Sequence, residues 1–139
     1  MTVSFRILQK HGLVFVRYEG RARLAETMAA FGEYATHPDF RPGQKQLVDL
    51  SGLTGWDGDF LELMKIQARK AEALTSVESQ TLLVYYAPTP ISFKLSKLVL
   101  NSWDGLDGIV TLVQQSEMGC LTLLGVAERS FAQLLENAG

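Results

Sequence analysis

The chain has 139 residues, of which 47% are hydrophobic and 20% are charged, and its formal net charge is −2. This length predicts a single domain over residues 1–139, and the composition is ordinary for a globular protein. The small net charge without a basic block argues against nucleic-acid binding, and no apolar run approaches the roughly 20 residues that span a bilayer. The single Cys120 excludes an internal disulfide. Together with an N-terminus that lacks the form of a signal peptide, it predicts a cytoplasmic location.

The first half of the chain predicts two strands, a helix and a third strand. Alternating apolar residues at Val3, Phe5 and Ile7 favour a strand, and residues 3–19 as a whole are typical of a hairpin. A helical face then follows, which Pro38 ends: Leu24, Met28, Phe31 and Ala35. The short apolar run 46–50, bounded by turn residues, predicts a central buried strand.

The second half predicts alternating helices and strands. Residues 59–74 favour a helix with four inward residues: Leu61, Met64, Ala68 and Ala71. After a strand at 81–87, Thr89 and Pro90 are suited to the N-cap and first turn of a helix. That helix, 90–103, carries an apolar stripe of Ile91, Leu95, Leu98 and Val99. A last strand at 109–113 precedes helical patterns at 116–124 and 127–137.

The predicted order is β-β-α-β-α-β-α-β-α, and strands that alternate with helices indicate a mostly parallel sheet. The opening hairpin adds an antiparallel edge. The predicted fold class is therefore α/β, with a mixed sheet and helices packed on it.

The segment 48–59 is the most distinctive part of the sequence. Its apolar run ends in Asp49, passes through Ser51, Gly52 and Thr54, and reaches Asp57 and Asp59 just before a predicted helix. This pattern, together with the element order, resembles STAS domains, and more narrowly the SpoIIAA-like proteins related to CRAL-TRIO lipid-carrier domains. In such domains Asp-Leu-Ser-Gly is followed by Asp-Ser-Ser-Gly at a helix start. Here Gly58 stands in place of the phosphoacceptor serine.

The resemblance implies an anti-sigma-factor-antagonist fold without its phosphorylation switch, because Gly58 has no hydroxyl. Asp57 and Asp59 then have two interpretations: a permanently anionic imitation of a phosphorylated switch, or simple capping of the helix dipole, which we favour. Ser51 and Thr54 keep hydroxyls nearby, but the predicted turn accounts for them equally well through local hydrogen bonds.

No catalytic motif or metal-binding spacing occurs in the sequence. His11 lies in the predicted hairpin turn, His37 precedes a proline at a helix end, and Cys120 falls within an apolar helical pattern. We therefore predict no enzyme activity, no catalytic residue, no metal and no cofactor.

Two surfaces are candidates for binding. Ligands of open parallel sheets bind at the carboxyl ends of the strands, where Asp49, Trp56 and Thr89 are expected. The alternative is that Trp56 only shields a loop and that Tyr85 or Tyr86 packs in the core. Helix 90–103 has more apolar residues than one buried stripe requires, and the additional ones are Phe93, Leu100 and Trp103. This surplus indicates either a homodimer interface or additional burial within the subunit.

These observations favour a non-catalytic, STAS-like bacterial module that has lost phosphorylation, interacts with proteins and self-associates. The alternative is a carrier of a small apolar molecule or lipid. The third is an anti-sigma-factor antagonist.

Overall fold

The computed structural model describes residues 2–75 and 80–138, and these form an α/β domain built on a five-stranded sheet. The strands follow one another across the sheet in chain order: β1 (Val3–Leu8), β2 (Leu13–Arg23), β3 (Lys45–Asp57), β4 (Thr81–Tyr86) and β5 (Ile109–Gln114). β1 pairs with β2 in antiparallel register through a tight turn, and every later pair is parallel. The predicted α/β class, edge hairpin and central strand are confirmed.

The described residues form helices between and after the strands: α1 (Leu24–Ala35), α2 (Phe60–Leu74), α3 (Pro90–Ser102), α4 (Glu117–Leu124) and α5 (Phe131–Asn137). The two helical patterns predicted after the last strand, at 116–124 and 127–137, are confirmed as α4 and α5, so the structure has one helix more than the element order written from the sequence. Gly125 separates them, because its left-handed backbone closes α4.

The strand order determines which face each helix covers. Each parallel connection moves one strand further in the same direction, so right-handed crossovers place α1, α2 and α3 on the same face of the sheet. Their apolar residues pack with Val14, Val48, Leu50, Leu83 and Tyr85. The opposite face is covered by α4 and α5, which pack over Leu13, Phe15, Leu47 and Val84. The result is a three-layer arrangement with a core on each side of the sheet.

The inward face predicted for α2 is wrong at Leu61 and Met64 and confirmed at Ala71. Leu61 and Met64 are 62% and 42% exposed, whereas the buried positions of this helix are Leu63, Gln67, Ala71 and Leu74. These four residues also have helical spacing, but the stripe includes a glutamine and was therefore not recognised as a buried face.

The most deeply buried positions of α3 are serines rather than the predicted aliphatic residues. Ser92 belongs to a capping box with Thr89, so the predicted N-cap is confirmed, and Ser96 and Ser102 donate to carbonyl groups within the helix. Internal hydrogen bonds satisfy these hydroxyls, so the small side chains can be buried at little cost. Ile91, which we predicted to face inward, is 43% exposed.

Candidate functional site

An apolar cavity of about 120 Å³ lies between the sheet and the helices α1, α2 and α3. The sheet contributes Val16, Tyr18, Val48, Leu50, Trp56 and Tyr85 to its lining. The helices contribute Phe31, Tyr34, Leu63, Leu95, Leu98 and Trp103. Aromatic and aliphatic walls with few polar groups are typical of sites for small organic molecules.

The cavity does not lie where the rule for open parallel sheets predicts a ligand. That rule applies to a crevice where the strand order reverses direction, and this sheet runs in one direction from β1 to β5. The one-sided placement of three helices instead creates a second core, and the cavity lies inside that core. Of the three residues expected at the strand ends, only Trp56 lines it.

Most polar side chains around the cavity have partners. The Tyr18 hydroxyl lies 3.1 Å from Oγ1 of Thr27, and the Tyr34 hydroxyl donates to Oε1 of Gln44 over 2.6 Å. The indole N–H of Trp103 donates to the hydroxyl oxygen of Tyr85. A ligand could therefore form a hydrogen bond with one of these groups only by breaking a bond that already exists.

Two polar groups on α2 differ from these. Gln67 is 2% exposed, and its Oε1 has no hydrogen-bond partner within the described residues. Lys70, three residues further on, also lines the cavity, and burial lowers its pKa from 10.5 to about 8. Residues three apart are neighbours on a helix surface, so these two groups lie on the same side of α2.

Asp49 lies on the sheet face opposite the cavity. Val48 and Leu50 line the cavity, and successive side chains of a strand alternate between faces, so the carboxylate between them is directed toward the α4 side. Its side chain is 5% exposed, with Oδ2 3.1 Å from Nε of Arg17. Its Oδ1 accepts the backbone N–H of Ser51. Asp49 therefore offsets the positive charge of Arg17 on β2 and is not part of the cavity.

The turn predicted after Asp49 is wrong, because β3 continues without interruption to Asp57. The long β2 provides the reason: it pairs with β3 as far as Arg23 and Asp57, with register shifts along the way. That pairing satisfies the backbone of a segment rich in glycine, which in isolation resembles a turn. Gly55 is extended here, and the Arg21 side chain lies across it, where an added Cβ would be 2.6 Å from Nη1.

Asp57 and Asp59 have different roles. Asp57 forms ion pairs with Arg21 and Arg23 of β2, so two cations offset its charge. Asp59 is the N-cap of α2, because its Oδ1 accepts the backbone N–H of Glu62 over 2.8 Å. The favoured capping interpretation is confirmed for Asp59 and wrong for Asp57.

Gly58, between these two aspartates, has φ of +144°, a conformation that side-chain-bearing residues rarely adopt. A Cβ added at this position would lie 2.6 Å from Cδ1 of Leu24. The backbone conformation and the position of Leu24 therefore favour glycine at position 58 over any residue with a side chain. Gly58 also lacks the hydroxyl that a phosphoacceptor needs. Ser51 and Thr54 are exposed on β3.

The residues of the candidate interface on α3 are not equally accessible. Trp103 is 4% exposed and lines the cavity, so it cannot form part of a surface contact. Leu100 packs against the core of the subunit, and Phe93 is half-buried with Nζ of Lys97 4.8 Å from its ring centroid. Burial within the subunit thus accounts for part of the apolar surplus on this helix.

The structure gives the cysteine and the histidines structural environments. Burial raises the pKa of the Cys120 thiol to about 12, which makes it a poor nucleophile. His11 Nε2 lies 3.1 Å from Oε2 of Glu128, and His37 Nδ1 accepts the backbone N–H of Asp39. Within residues 2–75 and 80–138, no three His, Cys, Asp or Glu side chains lie together as a metal site would require.

Neither Gln67 nor Lys70 was expected at a functional site from the sequence. The spacing of Leu63, Gln67, Ala71 and Leu74 was the available signal, since it marks one helical stripe that a single polar residue interrupts. A glutamine within such a stripe is either paired in the core or directed into a cavity.

No helix in the described part of the chain has the length and apolar character needed to cross a membrane. In comparisons with known proteins, no family model matches the chain, and no curated protein matches it either.

Proposed function

We propose that this chain is a non-catalytic, STAS-like module of the SpoIIAA-like kind that binds a small, largely apolar molecule between its sheet and its first three helices. The supporting observation is the cavity lined by Trp56, Tyr85 and Trp103 together with aliphatic side chains. Burial of apolar ligand surface against such walls contributes about 25 cal/mol for each Å² removed from water. The resemblance of segment 48–59 to STAS domains and their CRAL-TRIO relatives is in accord with a carrier role.

The volume of the cavity limits the size of the ligand. An apolar protein cavity of about 150 Å³ accepts benzene, so a cavity of about 120 Å³ suits a molecule the size of one ring. A long acyl chain would require α1 or α2 to move away from the sheet. We therefore favour a small organic molecule over a lipid as the ligand.

Toluene is a suitable probe, because it tests apolar burial alone. It should raise the melting temperature of the protein, and the increase should grow with the logarithm of toluene concentration once that concentration exceeds the dissociation constant. Ala30→Leu should abolish this effect, because Ala30 is 7% exposed on α1 and lines the cavity. Ala25→Leu is the matched control on the exposed side of the same helix and should leave toluene binding unchanged. Absence of toluene binding, or equal binding by both variants, would contradict the proposal.

Native mass spectrometry of the protein purified from cells provides a complementary test. A bound mass that is lost in Ala30→Leu and kept in Ala25→Leu would identify the natural ligand of the cavity.

A second candidate function is protein–protein interaction, including a homodimer. It is favoured by exposed apolar side chains on the outer faces of α2 and α3, which are Leu61, Met64 and Ile91. A specific two-fold contact buries about 1,200 Å² or more. Light scattering on wild type, Leu61→Glu and Phe93→Glu would test this, and a wild type that stays monomeric at high micromolar concentration would exclude the homodimer.

A further inference from the structure

The orientation of the Gln67 amide is fixed by its neighbour on α3. The Ser102 hydroxyl donates its proton to the carbonyl oxygen of Val99, so Ser102 Oγ can only accept from Gln67. Nε2 of Gln67 lies 3.1 Å from that oxygen and donates to it. The amide oxygen, Oε1, must therefore face the other way.

This oxygen is an acceptor without a donor. In the described residues, only two buried side-chain N or O atoms lack a hydrogen-bond partner, and they are Gln67 Oε1 and His11 Nδ1. Of these two residues, only Gln67 lines the cavity. A buried amide oxygen without a partner is unfavourable, whereas a donor that reaches it recovers the lost hydrogen bond.

We propose that the cavity selects a ligand of single-ring size that carries a hydroxyl group, and that Gln67 Oε1 accepts the hydrogen bond from this hydroxyl. This inference rests on the proposed function, since it specifies the chemistry of the molecule bound in the same cavity. The apolar lining holds the body of the ligand, and Gln67 fixes its orientation.

A neutral hydroxyl fits the site better than a carboxylate does. A carboxylate presents only acceptor oxygens, which would oppose Gln67 Oε1 rather than satisfy it. Lys70 lies on the same side of α2 and, with a pKa of about 8, is still mostly protonated at neutral pH, so the preference for a hydroxyl rests on Gln67. At Gln67 a carboxylate would place one acceptor against another.

Phenol and toluene form a matched pair of probes, because they have the same shape and differ in the hydroxyl. Their dissociation constants should be measured by NMR titration for wild type, Gln67→Met and Leu61→Met. Met removes the acceptor at position 67 with little change in volume, and Leu61 is an exposed apolar residue of the same helix that does not line the cavity. We expect the affinity of phenol relative to toluene to fall about tenfold in Gln67→Met and to stay unchanged in Leu61→Met.

Retained toluene binding would show that Gln67→Met is folded. If Gln67→Met does not fold, Gln67→Leu takes its place in the same comparison. In the wild type, phenol should shift the side-chain amide resonances of Gln67 further than toluene does, because both rings contribute a ring-current shift and only phenol adds a hydrogen bond. A phenol-to-toluene ratio that is equal in wild type and in the Gln67 variant would overturn the inference while leaving the proposed function intact. Benzoate binding tighter than phenol would also overturn it. Failure of both phenol and toluene to bind would instead contradict the proposed function.

Discussion

The indole N–H of Trp103 lies 2.8 Å from the hydroxyl oxygen of Tyr85, inside the core beside the cavity. This bond joins the end of α3 to β4, which are two of the elements that enclose the cavity. Tyr85→Phe would leave the indole donor buried without this acceptor, so we expect a loss of about 1–3 kcal/mol in the free energy of unfolding. Urea denaturation would measure the loss.

Tyr86→Phe is the matched control for this substitution. The Tyr86 hydroxyl forms no hydrogen bond within the described residues. Its ring packs edge-on against Phe131, and a phenylalanine at position 86 would keep this contact. Equal losses for the two variants would show that the Trp103–Tyr85 bond has no net stabilising effect.

Gly58→Ser restores the hydroxyl that the STAS resemblance leads one to expect, but the backbone opposes it. The positive φ and the contact with Leu24 should together cost about 1–3 kcal/mol. Gly32→Ala is the control, because this glycine lies within α1 with open space where the Cβ would be placed. It should stabilise the protein by about 0.5–1 kcal/mol. Thermal denaturation of both variants would check these values, and an undiminished stability of Gly58→Ser would contradict the strain argument.

Lys70 should make the stability of the protein depend on pH. Its pKa is about 8 in the folded protein and 10.5 ordinarily, so between these values the unfolded chain binds more protons. The destabilisation by Lys70 is therefore complete below about pH 8 and disappears as the pH rises to 10.5.

Lys70→Met should raise the free energy of unfolding at pH 7 by about 1–2 kcal/mol, less than the full pKa shift implies because the side chain is partly exposed. The gain should vanish near pH 10.5. Lys65→Met, at an exposed position of the same helix, should show no such dependence. A gain that is constant between pH 7 and 10.5 would show that Lys70 does not titrate as the burial predicts.

Glu128 should control the stability of the protein in acid. Hydrogen bonds from Asn137 and from His11 hold the pKa of Glu128 at about 2, below the ordinary 4.5. The stabilisation is present above pH 4.5 and is lost as the pH falls to 2. Glu128→Gln should lower the melting temperature at pH 6, and its difference from wild type should shrink toward pH 2. Glu136→Gln, on the exposed side of α5, should match wild type throughout.

Periodicity predicted the elements of the fold well where one face of each element is buried and apolar. The hairpin, the strand at 46–50 and the Thr89 cap all follow from local pattern. Local pattern failed where tertiary pairing overrides it. The Ser-Gly-Leu-Thr-Gly run is a strand only because β2 lies beside it, and no feature within 51–55 indicates that partner.

The candidate site was predicted only through Trp56. The cavity depends on three helices that share one face of the sheet, and this arrangement follows from the strand order, which the sequence pattern does not determine. Gln67 was not among the predicted inward residues of α2, and a glutamine is usually exposed. Its burial depends on Ser102, 35 residues away in the chain.

The placement of the helices also has a consequence for how the protein is made. All five strands precede Glu117, so the helices that cover the second face are the last elements to be synthesised. Until they dock, Leu13, Phe15, Leu47 and Val84 have no cover, and such a sheet surface attracts other chains or a chaperone. A chain cleaved after Gln114 would keep the entire ligand cavity and still aggregate, because ligand binding and solubility depend on opposite faces of the same sheet.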